Sequence, residues 1–491
     1  MGRLLLRLTA QRAPGLPAAA GRGSFPSVIP PRSCFPLSVF FALACALPSV
    51  RAATHPVDSI EALQARIKAA APGNTIVLKN GTYATNASLV VAVAGTEGQP
   101  ITIAAETVGG VELKGTHGFD VVAPAAHIVI RGFRFTHAAG TNTIRVGASH
   151  VRFTRNTFTC SGPGAELDVA GDDAEVDRNE FAGKSVVGNM VSVTGKVPQV
   201  ARRLWLHHNY FHDYAKAGAN GAETIRLGRS FFSMTHGDAL VEYNLFVRCV
   251  GENELITNKS GGNTYRYNTF LDSPGCQLTL RHGNECVVYG NYFRGTDGLR
   301  LFGDRHRIFS NYFEGNTLGI NLGNGGAEVA DGAPLTSHDR PDDCVIAFNT
   351  LVDNKAHYKM GARSPVALGA QRTTFANNVI VGGGLAAKID GPNPGAVWSG
   401  NLIWNTGGAG DLPADSYTTV DPKLVRDAHG VLHLAAGSPA IDAAAGDFAW
   451  AAFDQDGQPR EGKRDVGADE FSSAPVKARP LTPVDVGPAS Q

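Results

Sequence analysis

The sequence predicts an all-β fold, a right-handed single-stranded parallel β-helix with a short N-terminal capping helix. Three observations predict it. An Asn-x-apolar unit recurs at Asn156, Asn179, Asn209, Asn244, Asn268, Asn291, Asn311, Asn349, Asn378 and Asn401, at intervals of 23, 30, 35, 24, 23, 20, 38, 29 and 23 residues. A base interval near 23 with longer members is the pattern of a solenoid carrying loop insertions. The second is texture: 58 glycines, 8% aromatic residues and many short β-branched runs parted by Gly, Pro and Asn, which favour short strands over helices. The third is one amphipathic helical segment placed just before the first strand, where an exposed end of stacked sheet needs cover.

The elements follow in order. Residues 37–47, LSVFFALACAL, form an apolar core behind basic residues, and Val50-Arg51-Ala52 fits a small-x-small cleavage site. This predicts a signal peptide over 1–52 and an exported protein, periplasmic or secreted. The stretch 1–33 is long for a leader, and Val28 offers an alternative start. Asp58-x-x-Glu61 resembles a capping box, and Ile60, Leu63, Ile67 and Ala71 share one helical face before Pro72-Gly73 ends it. Strands are expected at Thr75–Leu78, Ile101–Ala105, Val111–Leu113 and His127–Phe133. In each repeat unit the asparagine and the residue two later share a face. The amides can therefore stack as a structural ladder at a turn while Phe or Ile stacks in the core. Residues 405–471 change texture and read as final coils and a cap, closing a β-helix domain of residues 53–471. Residues 472–491, rich in proline and poor in apolar side chains, read as a disordered tail.

Charge narrows the function classes. The whole chain has 44 basic and 44 acidic residues; residues 1–52 take six of the arginines and no acid, leaving 38 bases against 44 acids. An acidic mature chain argues against nucleic-acid binding, and a polyanionic substrate would need a local cationic patch. No segment reaches the ~20 apolar residues of a membrane helix. Cys160, Cys249, Cys276, Cys286 and Cys344 follow the leader without a CxxC, so a zinc site is not expected; buried free thiols are, although Cys276 and Cys286 could pair. Nothing in the sequence assigns an oligomeric state.

The chemistry gathers between Gly251 and His282. Glu252 and Glu254 stand two apart in a strand-like segment, so both carboxylates face one side and can share a hard cation. The interval from Lys259 to Arg281 is close to one repeat, so lysine and arginine are expected to stack. The same spacing brings Arg305 to that face, and Asn220, one coil and an insertion before Glu252, joins it from the previous turn of the solenoid. Glu223 is a fourth candidate ligand, and oxygen ligands of this kind suit Ca2+. Arg300, His306 and Arg307 would extend a cationic groove.

The run NELITNKS, then N-x-Y-x-x-N-T-F, then LTLRHG resembles the signature of polysaccharide lyase family 6, the alginate lyases and chondroitinase-B-like enzymes. The likeness extends over about residues 55–471. It implies that Lys259 is the Brønsted base, Arg281 the acid, and Glu252 and Glu254 with an asparagine the holders of calcium against the substrate carboxylate. Arg305 resembles a family residue that contacts substrate. The expected activity is β-elimination on alginate, an anionic polysaccharide, with Arg281, His282 or water donating the leaving-group proton. The same chemistry on dermatan or chondroitin sulfate, a β-helix glycoside hydrolase and a non-catalytic glycan-binding solenoid stand as alternatives.

Overall fold

In the computed structural model, which describes residues 52–138, 142–361 and 368–491, the chain winds as a parallel β-helix. Each coil gives a strand to a first, a second and a third sheet in turn; among the described residues these hold 14, 14 and 12 parallel strands. The leader expected over 1–52 lies, save for Ala52, outside the described residues. No helix among the described residues is long and apolar enough to cross a membrane.

The asparagine repeat builds the corner between the first and second sheets. At every rung the backbone N–H and the side-chain amide of one asparagine both donate to Oδ1 of the asparagine in the next coil. Asn156 donates to Asn179 at 2.9 and 3.0 Å, and Asn268 to Asn291 at 3.0 and 3.0 Å; the ladder runs on to Asn401. The residue before each of the ten asparagines has a positive φ, from 49° at Arg178 to 65° at Gly290. This left-handed step bends the chain sharply, and the buried amides satisfy the backbone groups that the bend removes from the sheets.

Two residues past the asparagines from Asn156 to Asn311 a phenylalanine ring lands in the core, and past the last three Leu351, Ile380 and Ile403 take that place. Phe135, Phe158, Phe181, Phe211, Phe246, Phe270, Phe293 and Phe313 form one column with ring centroids 4.5–4.9 Å apart. The coil rise of ~4.8 Å sets that spacing. All five cysteines after the leader are buried free thiols, so Cys276 and Cys286 do not pair.

The N-terminal helix spans Ile60–Lys68 and buries Leu63 and Ile67 on the first coil. Its cap is Ser59 rather than Asp58: Ser59 Oγ accepts from Ala62 N at 3.1 Å. Thr75–Leu78 and Ile101–Ala105 form as expected. The single strand expected over His127–Phe133 is two, Ala126–Arg131 and Phe133–Phe135, because Gly132 at φ 82° turns the chain from the first sheet to the second.

The C-terminal tail is a correction. After a hairpin of Leu424–Arg426 and Leu432–Leu434, residues 453–491 run back along the outside of the asparagine corner. Phe453 O accepts from Ser310 Oγ, Ala468 N donates to Thr350 Oγ1, Leu481 N to Thr269 Oγ1 and Gly487 N to His208 O. Residues 472–491 are thus a strap, with Leu481 and Val486 packed on Leu245 and Val247. Composition alone conceals this, because the strap makes its hydrogen bonds one by one to side chains and corner carbonyls.

Candidate functional site

The site lies on the third sheet, where Ile225–Leu227, Glu254–Lys259, Gln277–His282 and Leu299–Leu301 are successive rungs. Their outward column is Arg226, Thr257, Thr279 and Arg300. Two register shifts interrupt the pairing of Glu254–Lys259 with Gln277–His282, so Lys259 lies opposite His282 and Arg281 bulges beside it. The expected lysine-over-arginine stacking is therefore offset by one residue.

Three buried carboxylates meet here: Glu223, Glu252 and Glu254 each place an oxygen within 4.8 Å of the others. Asn189 Nδ2 donates to Glu223 Oε2 at 3.0 Å, and Ala222 N to Glu252 Oε2 at 2.9 Å. Glu254 Oε1 accepts from Arg281 Nη1 at 2.9 Å and from Arg300 Nη2, while Thr257 Oγ1 donates to Oε2. Lys259 Nζ stands 3.8 Å from Glu223 Oε1, its side chain only 14% exposed.

The charges act on one another. Burial pushes the Glu252 carboxyl up to about 7, and Glu223 and Glu254 add to the rise. Burial also opposes ionisation of Glu254, yet Arg300 and Arg281 hold it below the usual carboxylate range. Burial lowers the Lys259 amine; Glu223 pulls the other way, and Arg281 and Arg226 reinforce the fall. A lysine so placed is closer to neutrality than one in water, which a base requires. Burial, with Arg281 and His338 nearby, takes His282 down to about 3, so its ring is neutral.

Of the residues expected from sequence, Lys259, Arg281, Arg300, His282, Glu223, Glu252 and Glu254 come together. Asn220 is exposed in the turn before Ile225, three residues ahead of Glu223. His306 is internal. It is fully buried, its Nδ1 accepting from Cys286 N at 3.0 Å and its Nε2 2.8 Å from Phe302 O, so it serves the coil and faces no groove. Arg305 sits on the corner before Arg307–Phe309, bonded to Glu285 at 2.9 Å, and Arg307 lies over Trp450. Sequence reasoning missed Arg226, although its place in ETIRLG, one coil and an insertion before Lys259, follows the same spacing. It also missed His338, which the long insertion after Asn311 brings to 6.2 Å from His282, ring to ring.

The carboxylate set suits a hard divalent cation: three oxygen donors converge, all buried, and the Glu252 carboxylate carries a single hydrogen bond among the described residues. Glu254 is already shared between two guanidinium groups, so Glu223 and Glu252 would be the principal holders.

Fold and site together define a parallel β-helix whose third sheet carries guanidinium and amine groups around a carboxylate nest. A family model described as Chondroitinase B matches residues 57–381, about two-thirds of the chain, and the chain belongs to that family, polysaccharide lyase family 6. It is similar in structure to the family 6 alginate lyase AlyGC, at 27% identity and a TM-score of 0.70, over 78% of this chain and 55% of that one. It is also similar to a mannuronic acid specific family 6 lyase from human gut microbiota, at 24% identity and a TM-score of 0.64, over 75% of this chain and 91% of that one. A third likeness is to a family 6 alginate lyase in complex with a trisaccharide, at 22% identity and a TM-score of 0.65, over 79% and 92% of the two chains. The last two, at the lower identities, speak for the fold alone. The chain spans little more than half the length of AlyGC. No curated protein sequence matches it.

Proposed function

We propose that the protein is an exported polysaccharide lyase that cleaves alginate by β-elimination, leaving 4,5-unsaturated oligosaccharides. The observation that carries this reading is the buried Lys259 amine, 3.8 Å from Glu223 and within the field of Arg281 and Arg226. The hard step on a uronate is removal of the C5 proton next to an anionic carboxylate. In this reading Lys259 takes that proton, the C4=C5 bond forms and the C4–O bond breaks. Arg281 lies on the same face, where its guanidinium can neutralise the substrate carboxylate; it or water protonates the departing oxygen. His282, neutral and buried, borders the base. Calcium held by Glu223 and Glu252 would add positive charge at the substrate carboxylate and acidify C5.

Dermatan or chondroitin sulfate is the second reading, favoured by the description of the matching family model. A glycoside hydrolase fits less well. It needs two carboxyl groups about 5 Å or more apart flanking the bond, and here the three carboxylates crowd within 4.8 Å under cover.

The test is digestion of polymannuronate, polyguluronate, alternating alginate and dermatan sulfate, each with and without a chelator. Ultraviolet-absorbing unsaturated ends on alginate are expected, with a lower rate under chelation. New reducing ends without that absorbance would overturn elimination, and unsaturated products from dermatan sulfate alone would move the substrate.

A further inference from the structure

A second group of convergent donors lies outside the third sheet, where the terminal hairpin meets the segment that follows it. His433 of the hairpin and Asp456 and Asp469 of that segment each bring a ligand atom within 4.8 Å of the others. Three side chains crowd one ring nitrogen. Around His433 Nδ1 stand Asp469 Oδ1 at 3.0 Å, Asp456 Oδ2 at 3.3 Å and the Gln455 amide Nε2 at 3.4 Å. A single N–H at that nitrogen serves one carboxylate and leaves the other unserved. Gln455 is only 7% exposed, and its Oε1 is buried without a hydrogen-bond partner. Oε1 and Nε2 are the two ends of one amide, so turning it over aims the unpartnered oxygen at the same point.

These separations match ligands gathered about a metal. In a tetrahedral zinc site, with bonds of about 2.0–2.2 Å, neighbouring ligand atoms stand about 3.4 Å apart. The far side of the ring is arranged to suit. His433 Nε2 stands 3.5 Å from Asp427 Oδ2, and Asp427 Oδ1 accepts from His429 N at 2.9 Å and Val431 N at 2.8 Å, which holds the carboxylate in place. A carboxylate behind a histidine fixes the tautomer that presents the other ring nitrogen to a metal. Asp469 is held too, its Oδ2 accepting from Leu434 N at 2.7 Å, so that Oδ1 is left for the site. Charge agrees. Three carboxylates face one imidazole, and even a protonated ring leaves an excess of negative charge. Arg479, at the edge of the same hollow, is paired with Asp485 at 2.6 Å. That hollow, of about 520 Å3, gives an ion access to the ring and the three carboxylates.

We propose that His433, Asp456 and Asp469, with the Gln455 amide oxygen as fourth donor, form a divalent metal site that fastens the terminal hairpin to the segment before the strap. The imidazole nitrogen among the donors favours a zinc-class ion over calcium. In the metal-free protein a proton occupies Nδ1, and the ion takes its place. Spacing along the chain hides the site, because its donors come from two segments and include no CxxC. It shares no residue with the carboxylate nest and does not depend on the lyase reading.

The test uses the full chain, stripped with a chelator and assayed at about pH 8, where a histidine in water is neutral. Zn2+ is titrated against a chromogenic zinc indicator, and Co2+ replaces it for its visible spectrum. The natural sequence is expected to bind a Zn2+ ion that His433→Gln does not, and to give with Co2+ an intense tetrahedral band that His433→Gln lacks. Asp427→Asn keeps the ring and should weaken Zn2+ binding about 10- to 100-fold. Glu252→Gln, in the carboxylate nest, should retain the ion. A melting curve of each metal-free variant shows whether it folds; if His433→Gln does not, Asp427→Asn and the Co2+ spectrum of the natural sequence decide. Equal Zn2+ binding with and without His433, unchanged affinity in Asp427→Asn, or loss of the ion in Glu252→Gln alone would overturn the site, and so would a natural sequence that takes up no Zn2+.

Discussion

In the proposed reaction the Lys259 amine is brought down by two things the side chain does not itself supply: burial, and the guanidinium groups of Arg281 and Arg226. Replacing it by alanine removes the proposed proton acceptor but no structural hydrogen bond. The expected result is a loss of about 10²- to 10⁴-fold in kcat, with polymer binding kept. Lys259→Arg should not rescue, because a guanidinium stays protonated. Rate assays with a melting curve for each variant check this, and a Lys259→Ala protein of near-normal rate would exclude the amine. The Lys259–Arg281 interval was legible because stacked coils turn sequence distance into lateral position. The partner was not: register shifts, which no spacing reveals, set His282 opposite Lys259 and tie Arg281 to Glu254. Asn220 stands three residues ahead of Glu223 in an exposed turn.

At the scale of the element, the asparagine corner and the terminal hairpin make separable predictions. Asn268 takes part in four ladder bonds to its neighbours Asn244 and Asn291 and donates to Val241 O at 2.9 Å. Asn268→Ala strands the buried backbone N–H of Asn244 and the carbonyl of Val241, and a cost of about 3 kcal/mol is expected in denaturant unfolding. The hairpin Leu424–Leu434 is joined to the segment that precedes the strap through His433, whose Nδ1 lies 3.0 Å from Asp469 and 3.3 Å from Asp456, with Asp427 of the hairpin itself 3.5 Å from Nε2. Burial disfavours the charged ring, but the bond to Asp469 and the charges of Asp456 and Asp427 prevail and raise it from 6.5 to about 9. A histidine raised in the folded state contributes stability that is full below pH 6.5 and lost as pH rises through about 9. Melting temperature should fall over that window in the natural sequence and fall less in His433→Gln; equal slopes would remove the latch. The ladder could be read from the sequence because one residue type repeats at one interval. The latch could not, since its four members come from segments related only by the fold.

Across the molecule, the strap lies on the asparagine corner and the second sheet, and the carboxylate nest lies on the third. Deleting residues 472–491 removes Leu481 and Val486 from Leu245 and Val247, and the bonds from Arg155 to Pro488 O and Ser490 O. The truncated protein should melt several degrees lower yet keep its rate per folded molecule, because no strap residue reaches the carboxylate nest. A truncation that abolishes activity while melting normally would show that the strap serves the site. The order of residues alone dictated the solenoid, its ladder and its aromatic column, because these depend on a period and on residue types that stack on copies of themselves. It also marked the charged stretch from Glu252 to Arg281. Folding in three dimensions settled which of those charges touch, that His306 faces inward, that Arg226 stands on the same face as Thr257, and that a proline-rich end folds back as a strap. Those outcomes depend on register shifts, corner geometry and single contacts between distant segments, none of which repeats along the chain.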